Sequence, residues 1–219
     1  MGLFRQMRLF YLEIKQSGWP VLIAPVLAVS PFGAFLAMHL SSSPELRETA
    51  LFILDALLVI LSIAGATLWG YLFMGNTFER CRHSFLAADT HYVSKAFARA
   101  VVSLSFLCLI AAGIAALFAP EHAREIAFLT FRTTALIAAC IAVISLCSYL
   151  LDGAYIGVVV SIVFMMFSFS AHMGLFFLMP MWLIPRGGEA SLSYSCLMLS
   201  IAAFLFIALL ASEKLVKRG

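Results

Sequence analysis

Long apolar runs broken by short polar stretches dominate the chain, and none of them shows the strict alternation of a half-buried strand. Six runs reach the length of about 20 apolar residues that a hydrocarbon core demands: residues 19–40, 50–75, 100–119, 126–150, 154–179 and 192–211. In lipid every backbone N–H and C=O must be met inside its own segment or around a closed barrel, so runs without alternation predict helices. The expected fold class is an all-α membrane protein, a single transmembrane domain over 1–219 with six spans. Two further elements are expected: an N-terminal amphipathic interfacial helix over 1–17, and a short cytoplasmic helix between spans 2 and 3.

The polar breaks carry the orientation. Before the first run, Leu3, Phe4, Met7, Tyr11 and Ile14 recur at helical spacing while Arg5, Arg8 and Lys15 fall on other faces. That pattern fits either a helix lying along the inner leaflet with its cations toward anionic headgroups, or an unstructured basic flank. The longest break is NTFERCRHSFLAADTHYVSKAFAR over residues 76–99, with Arg80, Arg82, Lys95 and Arg99. If the N-terminus is cytoplasmic, the inner side also collects Lys214, Lys217 and Arg218, and the outer loops keep only Arg47, Arg124 and Arg186. The asymmetry places both termini in the cytosol. Glu45, Glu48, Glu121 and Glu125 make the outer loops around Arg47 and Arg124 net acidic.

Composition agrees. Of 219 residues 63% are hydrophobic and 11% charged, against about a quarter charged in soluble domains. A net charge of +3 is too small and scattered to argue for nucleic acid, and no such partner is expected. Cys81, Cys108, Cys140, Cys147 and Cys196 have no C-x-x-C spacing, so neither a disulfide framework nor a zinc site is expected. The first twenty residues keep charge through Lys15 and lack a small-residue cleavage pattern, so they read as retained rather than as a signal peptide.

Within the runs a few residues stand out. Span 1 contains Pro20, Pro25 and Pro31; the first suits a first turn, and the other two each remove a donor and predict kinks. Span 2 sets Ser62, Ala66 and Gly70 at four-residue intervals, a stripe that lets another helix approach. Span 5 is rich in Met and Phe, and the stretch PMWLIPRGGE after it could dip back into the outer leaflet where protein shields it.

Asp55 in span 2 and Arg132 in span 4 are charges inside the spans, each about six residues from the outer face, or about 9 Å deep. Unpaired charge there is costly, and equal depth makes the two natural partners. Three readings stay open: a clamp between spans 2 and 4, contact with a substrate, or outward snorkelling. The histidines are dispersed, with His39 and His122 outside, His83 and His91 in the polar insert, and His172 in span 5 near Met165, Met166 and Met173. His172 has no second ligand at i+4, so packing or an inter-helix hydrogen bond is expected of it, and no metal site is expected in the chain. There is no G-x-x-x-x-G-K-[ST], G-x-S-x-G or H-E-x-x-H. No catalytic residue is therefore expected, and the chain reads as a protein that hydrolyses no nucleotide itself.

In the insert, Phe78, Arg82, Phe85 and Leu86 can share one face of a short helix over 78–88, with Asp89 or Thr90 capping the helix that continues through Tyr92, Lys95 and Arg99 into span 3. A solvated connector is the alternative. The N-terminal stretch FRQMRLFYLEIKQSGWP, the six-span plan and the insert TFERCRHSFLAADTHYVSKAFAR together resemble the type 2 ATP-binding cassette (ABC-2, type V) permeases. Glu79, Arg80, Leu86, Thr90, Ser94 and Lys95 match that family's insert pattern, with His83 and Ser84 where a glycine is usual and a short outer region between spans 5 and 6.

The resemblance implies a coupling helix in which Phe78, Glu79, Arg80, Arg82, Phe85 and Leu86 meet a separate nucleotide-binding ATPase subunit. It implies ATP and Mg on that partner with no cofactor in this chain, a second permease as homodimer or sister subunit, and surrounding membrane lipid. The membrane would be a bacterial-type cytoplasmic (inner) membrane, and the activity export of a hydrophobic or amphipathic peptide, lipid or antibiotic. Alternatives from other classes are a haem-export-type permease of cytochrome c maturation, an intramembrane enzyme and a non-transporting membrane scaffold.

Overall fold

The structure is a computed structural model that describes residues 20–83, 92–151, 153–169 and 188–216. All elements among these residues are helical: α1 Pro20–His39, α2 Pro44–His83, α3 Tyr92–Phe118, a 3-10 turn Pro120–His122, α4 Ala123–Leu150, α5 Ala154–Phe169 and α6 Gly188–Val216. Residues 1–17, Phe85, Leu86, Asp89, Thr90, His91, His172 and most of the stretch 180–191 lie outside the described residues.

Among the described residues, five stretches are long and apolar enough to cross a bilayer: Leu22–His39, Pro44–Met74, Val93–Phe118, Pro120–Leu150 and Ser195–Lys214. The chain is therefore a multi-pass membrane protein. The expected fifth span appears as α5, whose 16 described residues reach about 24 Å, short of the ~30 Å hydrocarbon core. Leu22, Val26, Phe52, Ile60, Val102, Phe106, Phe204 and Ile207 are each more than half exposed. An apolar exterior spread over so many helices needs hydrocarbon around it.

The core is built around α4. The span containing it is 72% buried, against at most 41% for the other four, because it packs against α2, α3, α5 and α6 while α1 packs against α2 and α3. Two apolar clusters result. One, at the end of the bundle marked by Pro120, gathers Phe32, Phe35, Leu54, Leu58, Ala115, Ile126 and Leu129. The other, toward the end marked by Tyr92, gathers Trp69, Phe73, Met74, Val93, Phe97, Ile141, Ile144 and Leu209.

Close approach depends on missing side chains. A Cβ on Gly65 would stand 3.0 Å from the Ala24 carbonyl oxygen, and one on Gly70 would stand 2.9 Å from Ile144 Cδ1. Gly65 thus lets α1 approach one face of α2, and Gly70 lets α4 approach another. Trp69 adds a polar tie between α2 and α3, its Nε1 donating to Ser103 Oγ at 3.1 Å.

α1 runs as one continuous helix through Pro25 and Pro31. Pro31 has no N–H for the Leu27 carbonyl one turn back, and the Ser30 hydroxyl donates to that carbonyl instead at 3.3 Å. One sequence expectation changes in α2, which continues through Gly75 and Asn76 to His83 without opening a separate helix at Phe78. A lone glycine costs a helix only about 1 kcal/mol, too little to break one already propagating from a long apolar span. At 40 residues α2 is about 60 Å long, roughly twice the hydrocarbon thickness.

Candidate functional site

The structure brings Asp55 and Arg132 together. Arg132 Nη2 donates to Asp55 Oδ1, forming an ion pair between α2 and α4. Arg132 is fully buried and Asp55 is 8% exposed. Since α2 begins at Pro44 and α4 at Ala123, the residues lie about 16 Å and about 14 Å along their helices, at similar distances from the starts of the two helices. The pair sits at the level where the two apolar clusters meet: Leu54, Leu58 and Leu129 belong to one, Val59 and Ala135 to the other. Snorkelling is set aside, since a guanidinium with no exposed surface does not reach the interface. Arg132 Nε and Nη1 are buried with no hydrogen-bond partner, so two of the guanidinium nitrogens keep their N–H groups unused inside the bundle.

The insert residues are placed only in part. Phe78, Glu79, Arg80 and Arg82 lie on the last turns of α2, beyond its apolar window Pro44–Met74. Phe85 and Leu86 lie outside the described residues.

A second buried carboxylate escaped the sequence reading. Glu213, near the C-terminus of α6 and 3% exposed, caps α3: its Oε1 accepts from Val93 N at 2.9 Å and Ser94 N at 3.3 Å. Ser94 Oγ donates to the other oxygen. The first N–H groups of a helix have no intrahelical acceptor and carry partial positive charge, so a carboxylate from another helix satisfies both demands. The signal was available, because an acid in the last turn of a helix opposes that helix's own dipole and calls for a partner elsewhere.

The dispersal expected for the histidines is also corrected. His39 ends α1 and His122 ends the 3-10 turn, and their ring centroids lie 5.6 Å apart in an edge-on arrangement. His39 Nε2 is 3.1 Å from Glu121 Oε1, and the His39 ring stacks on Phe35 with centroids 5.6 Å apart. One ligand atom from each of His39, Glu121 and His122 can be chosen so that all lie within 4.8 Å of one another. Sequence separation hid this, since 82 positions of chain intervene before α1 and the 3-10 turn meet.

No family model, curated protein or solved structure matches the chain.

Proposed function

We propose that the chain is the membrane half of an ATP-driven exporter of the type 2 ATP-binding cassette plan, moving a hydrophobic or amphipathic substrate outward. The observation that carries this reading is α2, one helix from Pro44 to His83 whose apolar window ends at Met74. Its last turns, with Phe78, Glu79, Arg80 and Arg82, extend about 14 Å past that window as a rigid continuation of a span. Such a continuation suits a part that receives force from a partner, because motion at its tip becomes motion of the span.

On this reading the Tyr92 end faces the cytosol, as the basic residues demand. Six spans, an interfacial N-terminal helix and an inner-membrane location complete the plan. A separate nucleotide-binding subunit with its ATP and Mg docks on residues 78–88, and a second permease encloses the path. Asp55 and Arg132 act as the clamp by which α2 moves α4. No nucleotide motif occurs in the chain, so the energy comes from that partner.

The experiment is purification of the full chain in mild detergent from its own host, with mass spectrometry of what accompanies it. A nucleotide-binding ATPase is expected, and it is expected to be lost when Glu79, Arg80 and Leu86 are all changed to alanine in a chain that still elutes as a folded species. If no ATPase accompanies the folded chain, or if it stays bound after residues 78–88 are replaced by a polar linker, the proposal is wrong and a non-transporting scaffold takes its place.

A further inference from the structure

The Pro120 end of the bundle holds a polar cluster that the transport reading does not use. We propose that His39, Glu121 and His122 bind one divalent transition-metal ion of the Zn2+ class. Two imidazoles and a carboxylate form a donor set that such ions accept, with bonds of about 2.0–2.1 Å and remaining positions filled by water.

The geometry is close to what binding requires. In a tetrahedral site with those bond lengths the donors stand about 3.3 Å apart. His39 Nε2 and Glu121 Oε1 are already 3.1 Å apart, and no pair within the chosen set exceeds 4.8 Å. The widest pair must therefore contract by at most about 1.5 Å. Glu121 is positioned to supply much of that movement, since its side chain is 56% exposed while that of His39 is 11% exposed. Glu121 and His122 are fixed in a turn begun by Pro120, and Phe35 stacks on His39 and meets His122 edge-on at 6.4 Å. The less mobile donors are thus held in place before an ion arrives.

Bound there, the ion joins the C-terminus of α1 to the turn between α3 and α4, which no other buried charged contact does among the described residues.

The test uses the full chain in detergent or nanodiscs, stripped of metal with a chelator and titrated with Co2+ as a spectroscopic probe. A saturable d–d absorption band at one equivalent per chain, abolished by added Zn2+, is expected. His39→Gln combined with His122→Gln should remove the band, and Glu121→Gln should weaken Co2+ binding at least about ten-fold. His83→Gln combined with His91→Gln should leave it unchanged. If the double His39 and His122 variant does not fold, Glu121→Gln decides, because its exposed side chain is dispensable for packing. No saturable band in the wild type, or a band indifferent to Glu121→Gln, would overturn the proposal. The readout is independent of transport, so it stands or falls apart from the proposed function.

Discussion

Removing Asp55 should unlock the bundle. Asp55→Ala leaves the Arg132 guanidinium fully buried, with Nε and Nη1 already lacking partners and Nη2 losing its acceptor. Stranding one member of a buried pair costs about 3–5 kcal/mol. The lack of any alternative acceptor for Nε and Nη1 places this case toward the upper part of that range. Removing both charges with Asp55→Leu and Arg132→Met should recover most of the loss, since an apolar replacement of similar volume is often neutral or stabilising. Asp55→Asn, which keeps an acceptor oxygen, should fall between. Thermal unfolding of the full chain in nanodiscs, followed by tryptophan fluorescence, reads the effect. At about 2–4 °C per kcal/mol for a chain of this size, Asp55→Ala should lower Tm by roughly 6–20 °C, and the double variant should melt within a few degrees of wild type. Should Asp55→Ala melt with the wild type, or the double variant melt as low as the single, the pair is not a clamp.

Gly157→Ala should destabilise by about 1–3 kcal/mol, because the new Cβ would lie 2.5 Å from the Ile144 carbonyl oxygen and against Ser148. Gly33→Ala, which meets nothing within 4 Å, should be neutral or slightly stabilising; equal melting of the two variants would refute the close α4–α5 approach. Glu213→Ala should cost about 1–3 kcal/mol by stranding the N–H groups of Val93 and Ser94. Hydrogen exchange at residues 93 and 94 should accelerate, and unchanged protection there would mean that other groups cap α3.

The sequence made the membrane character legible because one physical constraint, backbone satisfaction in lipid, acts on every apolar run separately. It also made the Asp55 and Arg132 partnership legible, since burying a charge in hydrocarbon narrows the choice of partner to charges at matching depth. Helix ends were less accessible. α2 was expected to stop at residue 75, yet it continues to His83, because helix propagation past a single glycine is inexpensive and hydropathy falls before helicity does. The contacts that the sequence hid join residues far apart in the chain. Glu213 meets Ser94 across 119 positions, and His39 meets His122 only because α1 and α3 end at the same level. Neither meeting follows from spacing along one helix; both depend on how the helices are arranged around α4.

That arrangement constrains how the bundle can move. α4 is joined to α2 by the buried pair, and Ile144 lies against Gly70 about three helical turns further along α4. Sliding α2 along α4 by one turn, about 5.4 Å, would break the ion pair and drive the Ile144 side chain off its glycine notch. Both contacts resist the same motion, so displacement of the far end of α2 carries α4 with it. α1 is held differently: among the described residues its contacts to α2 and α3 are apolar apart from a weak thiol contact, Cys108 Sγ to the Ala28 carbonyl at 3.8 Å. Its charged contact is at its last residue, His39. The hydrophobic effect is absent between helices in lipid, so packing and polar ties set their relative freedom. By that measure α2 and α4 are tied by charge as well as by packing, and α1 is tied to α2 by the close backbone approach at Gly65 and to the turn before α4 by its His39 end.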